Sequence, residues 1–192
     1  MKKTTLLIAI ILATVTGAKA QETKPVTPAS SDAWGMTVLK VHLHNFMSIA
    51  IKPDDSNVDL EYKTADDYDG TGVSALKEDH LIVSSLSPFI VKVNSSTTSP
   101  INADGIALNA EGTGVKIKVE RGTSRGMVGS IPNAVTLRFE GDDIIDSDIA
   151  SLNNTFNITY SGEGEGAYRN KYFGDGEPIV YTTNVIYTIT SK

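Results

Sequence analysis

The feature that most constrains this chain is a hydrophobic period of two that persists almost to its last residue. Val58, Leu60 and Tyr62 alternate with Asp59, Glu61 and Lys63. Phe89, Val91 and Val93 share one face. Val115, Ile117 and Val119 alternate with Lys116, Lys118 and Glu120. Val135, Leu137 and Phe139 do so with Thr136, Arg138 and Glu140, and Phe156, Ile158 and Tyr160 with Thr155, Asn157 and Thr159. The last run puts Ile179, Tyr181, Thr183, Val185, Tyr187 and Ile189 on one face. A pleated strand turns successive side chains to opposite faces, so each run reads as a strand with one wet face. That is the pattern of antiparallel sheets. Less regular strand candidates lie at 37–43, 46–51, 80–85 and 105–109.

Turn residues punctuate the runs: Pro53 to Asn57, Asp69 to Gly72, Glu111 to Gly114, Gly122 to Gly129, Gly141 to Asp143, and Gly174 to Gly176. Short stretches at 64–68 and 146–152 could each form a helical turn, but neither sustains a helical period. The 20 threonines favour strands. The expected fold is all-β, an antiparallel Ig-like or fimbrial-like β-sandwich of about nine or ten strands. The body, residues 36–192, is one domain, large enough to bury a core without the disulfides that zero cysteines forbid.

Residues 1–20 read as a secretory signal peptide. Lys2 and Lys3 form the basic start, Leu6 to Ala13 the apolar centre, and Ala18-Lys19-Ala20 the cleavage site. Residues 21–35, with two prolines and no apolar period, read as a flexible leader. The whole chain carries a net charge of −6. Loss of the first 20 residues removes three lysines, leaving 14 basic against 23 acidic residues, or −9. Such a chain repels nucleic acid, so no nucleic-acid partner is expected. The apolar stretch is too short to span a bilayer.

Catalytic constellations are sparse. There is no Gly-x-Ser-x-Gly and no thiol nucleophile, and the three histidines all lie in strand-like runs. His42 and His44 would share one face of a strand, which reads more simply as a polar face than as half a metal site. Asp142, Asp143, Asp146 and Asp148 read as a solvated acidic cluster rather than a glycosidase pair. Asp66 to Gly70 is acidic and glycine-terminated; Asp67 and Asp69 are its candidate calcium ligands, although the twelve-residue calcium-loop spacing is absent. No cofactor is expected. The most unusual loop is 162–174, glycine-rich with mixed charge and three aromatics. Trp34, Tyr168, Arg169, Tyr172 and Phe173 are the candidate ligand-binding residues, because exposed aromatics stack on sugar faces.

The final strand, Tyr181-Thr-Thr-Asn-Val-Ile-Tyr-Thr-Ile-Thr190, resembles the closing strand of fimbrial-type and WxL-like cell-surface sandwiches. The run Asp79 to Ser85 leading into Pro88 to Val93 is similar to that in small secreted Bacteroidota proteins of the same kind. The resemblance implies a secreted, non-enzymatic module with a structural or adhesive role at the cell surface or in the envelope. A glycan- or peptidoglycan-binding module and an unrecognised secreted hydrolase are the alternatives. Trp34 is followed by Gly35 and Met36, so the Trp-x-Leu triplet itself is missing, as is the cysteine of lipid-anchored pilins. The leader offers Val26 and Trp34 as its large apolar residues, too few for it to complete a neighbour's sheet. Self-association is expected instead through the last strand, should it lie at a sheet edge. Other surface proteins or glycans are the remaining candidate partners.

Overall fold

The computed structural model describes residues 35–110, 112–124, 129–131, 134–173 and 176–192. Residues 1–34, which hold the signal segment, Trp34 and all of the leader but Gly35, lie outside them. Residues 35–42 carry no regular secondary structure. From Leu43 onward the chain is an all-β sandwich, as the alternation predicts.

One sheet has five strands. These are β1 (Met47–Ile51), β2 (Ser74–Ser85), β4 (Val115–Arg121), β6 (Val135–Thr136) and β8 (Ser151–Gly162), in the order β1-β2-β8-β4-β6. The second sheet contains β3 (Phe89–Ser95), β5 (Gly129–Ser130), β7 (Asp142–Ser147) and β9 (Val185–Ser191), in the order β5-β7-β3-β9. Every pairing is antiparallel. A short α-helix, α1 (Ala65–Asp69), fills the turn expected at 64–68, and a 3-10 turn spans Pro53–Asp55.

The core is where the alternating residues meet. Leu81, Val83, Phe89, Val91, Val93, Ile117, Val119, Leu137, Ile144, Ile145, Phe156, Ile158 and Tyr160 are buried in one cluster. Burying a side chain of this size is worth roughly 1.5–3 kcal/mol, so a cluster like this supplies the cohesion that disulfides give smaller domains. Val185, Tyr187 and Ile189 close it from β9.

Several expectations need correction. The 105–109 candidate forms no strand, Ala107 making only an isolated bridge to Ile101. The 135–140 run is strand only over Val135–Thr136, and the last run only over Val185–Ser191. The 37–43 run forms no strand, and its residues are exposed. The 58–63 run is also unpaired, yet Val58 and Leu60 still pack on the core, so its alternation reports burial without a ladder. The helical turn expected over 146–152 is instead the β7–β8 connection. Ser147 holds it by accepting the Ile149 N–H at 3.4 Å and donating to the Ile149 carbonyl at 2.9 Å. Hydroxyls that bond local backbone favour turns over helix.

Candidate functional site

The loop after β8 is a clasp rather than an open binding loop. Tyr168 is buried, against the expectation of an exposed aromatic. Its hydroxyl donates to the Gly114 carbonyl at 3.1 Å, and its ring meets Tyr62 edge-on at 5.2 Å between centroids. Tyr68 also packs on Tyr62, tilted, at 5.2 Å between centroids. Tyr62 donates to the Glu163 carbonyl at 2.6 Å. Burial raises the Tyr62 and Tyr168 hydroxyls above the ordinary phenol range, so both remain protonated donors. The three tyrosines thus tie α1, the segment before it and the 162–173 loop together. Rings packed edge-to-face add stability beyond the area they bury.

The glycines serve the same contact. A side chain at Gly164 would place its Cβ 2.1 Å from the Gly70 carbonyl oxygen and 2.3 Å from the Gly72 nitrogen. The two backbones can lie this close only without a side chain. Glu165 N–H donates to Gly70 and Gly166 N–H to Tyr68, at 2.9 and 2.7 Å.

Arg169, expected to meet a ligand, donates from Nε to Asp69 at 2.6 Å. The guanidinium holds the Asp69 carboxyl below its usual range. Asp67 is the cap of α1: it accepts the Lys63 and Thr64 N–H groups at 2.8 and 2.7 Å, while Thr64 Oγ1 accepts the Asp67 N–H at 3.3 Å. This is a capping box, and those donors lower the Asp67 pKa. The two nominated calcium ligands therefore have separate structural partners. Among the described residues no group of three histidine or acidic side chains is placed to hold a metal. Asp146 and Asp148 of the second acidic cluster both pair with Lys192.

Tyr172 and Phe173 are the two nominated aromatics that stay on the surface, 49% and 68% exposed. Tyr172 is held in place by the Gly176 N–H, which donates to its oxygen at 2.8 Å. Nearby in sequence, Tyr181 donates to the Lys171 carbonyl at 2.9 Å, anchoring the base of the loop.

A polar group that the sequence does not single out lies inside the sandwich. His80 Nε2 and Tyr160 Oη are 2.8 Å apart, and Tyr160 and Tyr187 hydroxyls 2.7 Å apart. His80 is buried, and its Nδ1 has no hydrogen-bond partner. Burial lowers the His80 pKa and raises that of Tyr160 to about 12. The three groups are thus neutral near pH 7. The cause of this inward turn is a bulge. β2 advances four residues from Lys77 to Leu81 while β8 advances two from Ile158 to Phe156. Asp79 takes a left-handed φ of 51° there, and His80 swings into the core. Bulges redirect side chains in this way. The inward parity of Tyr160 and Tyr187 is readable from the alternation; that of His80 is not.

Among the described residues no helix is long and apolar enough to cross a membrane. Comparison of the chain with protein-family profiles, curated proteins and solved structures finds no match.

Proposed function

We infer that the protein is an exported, non-enzymatic β-sandwich that serves as a structural or adhesive module of the cell surface or envelope. The observation that carries this reading is how the nominated polar groups are used. Asp67 caps a helix, Asp69 and Arg169 join two loops, and Tyr168 seals the clasp. These residues maintain a shape. The signal-like first 20 residues supply the export half of the reading. Fractionation of producing cells tests it: the protein is expected in the periplasm, on the surface or in the medium, with a new N-terminus near Gln21. Recovery from the cytosol with Met1 intact would sink it.

Tyr172 and Phe173 favour a second reading, a glycan-binding module, since exposed adjacent aromatics can stack on sugar rings. Binding on a glycan array that disappears in Tyr172→Ala supports it; a blank array removes it.

A further inference from the structure

The bulge in β2 turns two neighbouring titratable residues to opposite faces of the sheet. Glu78, Asp79 and His80 together stand against the single residue Asn157 of β8. Asp79 is pinned on the outer face. Its carboxylate accepts the Thr123 N–H at 2.8 Å and the Thr123 hydroxyl at 2.7 Å. Its own N–H donates to the Asn157 carboxamide oxygen at 2.8 Å. Gly122 makes this grip possible, because a Cβ there would clash with the Asp79 carboxylate and with Thr155 Oγ1.

His80 is held on the inner face. Through Tyr160 its ring reaches Tyr187, so a chain of three polar groups crosses from β2 and β8 in one sheet to β9 in the other. Its Nδ1 has no partner. A neutral imidazole carries one N–H, but a protonated one carries two. In place, the second N–H would lie buried without an acceptor, on a charge that the surrounding apolar side chains do not solvate. The hydroxyls of Tyr160 and Tyr187 are neutral and offer no counter-charge. The charged groups that act on the ring are Lys52 and Asp55, after β1, and Lys77 on β2. The Lys52 N–H donates to the His80 carbonyl at 2.9 Å, which places the 52–55 turn beside this residue. Asp55 is the carboxylate of that turn nearest in charge to the ring. Its contacts with Lys77 and Lys52 are long, 3.5 and 4.0 Å, so it can accept a further donor.

The far end of the polar chain meets a weak margin of the sandwich. Tyr187 lines an apolar cleft of about 110 Å³ together with Ile49, Ala50, Ile51 and Val185. The cleft lies between β1 and β9, which belong to different sheets. β1 pairs only with β2, and β9 only with β3. No backbone ladder therefore joins the two strands across this margin, and the hydrogen bonds from Tyr187 to Tyr160 and on to His80 tie β9 to the opposite sheet there.

We propose that the bulge is an acid-operated switch: on taking up a proton the His80 ring leaves the core and turns to the Asp55 carboxylate, and the space it vacates joins the cleft between β1 and β9 as one apolar pocket. Each position of the ring has its own partner, Tyr160 for the neutral form and Asp55 for the charged one. Such a side chain is bistable, and a proton biases it. Histidine is the side chain whose ordinary titration falls in mild acid. Asp79 does not titrate with it, because the Thr155 and Thr123 donors hold its carboxyl below the usual range. The bulge thus stays pinned from outside while the ring moves, and the rest of the sandwich stays folded. The pocket is a site of the acid form, made to take an aliphatic or aromatic group. None of this depends on the structural or adhesive role, so its failure leaves that reading untouched.

The test is NMR of the full exported chain between about pH 7.5 and about pH 4.5, around the ordinary histidine value of about 6.5. Nuclear Overhauser contacts from the His80 imidazole to the rings of Tyr160 and Tyr187 are expected at the upper end. They should vanish as the ring titrates, while amide protection at Phe156 and Ile158 is kept. Anilinonaphthalene sulfonate, an apolar dye, should bind over the same range, and in His80→Phe its fluorescence should be flat with pH. Asp55→Asn removes the partner of the charged form, so the titration midpoint should fall by roughly half a pH unit or more. A ring that titrates with its tyrosine contacts intact overturns the proposal, as does one that does not titrate at all. Loss of protection at Phe156 and Ile158 at the same pH means unfolding and overturns it too. So do dye binding that persists in His80→Phe and a midpoint unmoved in Asp55→Asn. If His80→Phe fails to fold, the wild-type contacts and Asp55→Asn still decide.

Discussion

His80 is the residue whose environment makes the sharpest prediction. Its neutral ring sits beside Tyr160, with Lys52, Asp55 and Lys77 the charged groups that act on it. Desolvation is the largest influence and lowers its pKa. The unfolded chain therefore takes up a proton near the ordinary value of about 6.5 while the folded chain resists it. Stability is fully present above that pH and declines as pH falls below it. The thermal midpoint should drop between about pH 7.5 and pH 5.5, and His80→Gln should flatten that slope. An unchanged slope in the variant would remove His80 as its source. In the apolar core the expected cost is larger and independent of pH. Phe156 is buried in the centre of β8, and Phe156→Ala should destabilise by about 3–5 kcal/mol, read from urea unfolding. The inward parity of Phe156 was plain in the sequence. That parity also places Asn154 inside, where it is buried.

Among the elements, the 162–173 loop shows how composition and role diverge. Its glycines, charges and aromatics suggest a binding loop, but most of them bond to α1 and its flanks. Gly164→Ala should push the 70–72 and 162–165 backbones apart, because the Cβ would meet backbone atoms that cannot rotate away. The expected result is faster amide exchange over both segments and a lower midpoint, whereas Tyr172→Ala leaves both unchanged. Equal exchange in wild type and Gly164→Ala would refute the clasp. The single-turn helix α1 falls where a helical turn was expected, and the structure adds its capping box between Thr64 and Asp67. The β7–β8 turn was not, since Ser147 and Asp148 also suit a helix start; the pairing of Ser147 with Phe89 in β3 decided the outcome.

At the scale of the molecule, the period of two determined the class. Apolar faces repeated every second residue, with no sustained helical period to supply a covering layer, are buried by packing sheet on sheet or by closing a barrel, so an all-β class followed from the sequence and the sheet pairings made it a sandwich. The inward faces of β4, β8 and β9 were also set there, because pleat parity needs no knowledge of partners. Which strands pair was decided by the tertiary structure alone. β8 lies between β2 and β4, and β3 between β7 and β9, through contacts distant in the chain. Those pairings turned 58–63 into an unpaired covering segment. The assembled fold also commits Asp69, Tyr168 and Arg169 to holding loops, a use that depends on which distant backbone and side chains arrive beside them. Local chemistry fixes what a side chain can do; only the assembled sheets decide which donors, rings and edges it meets.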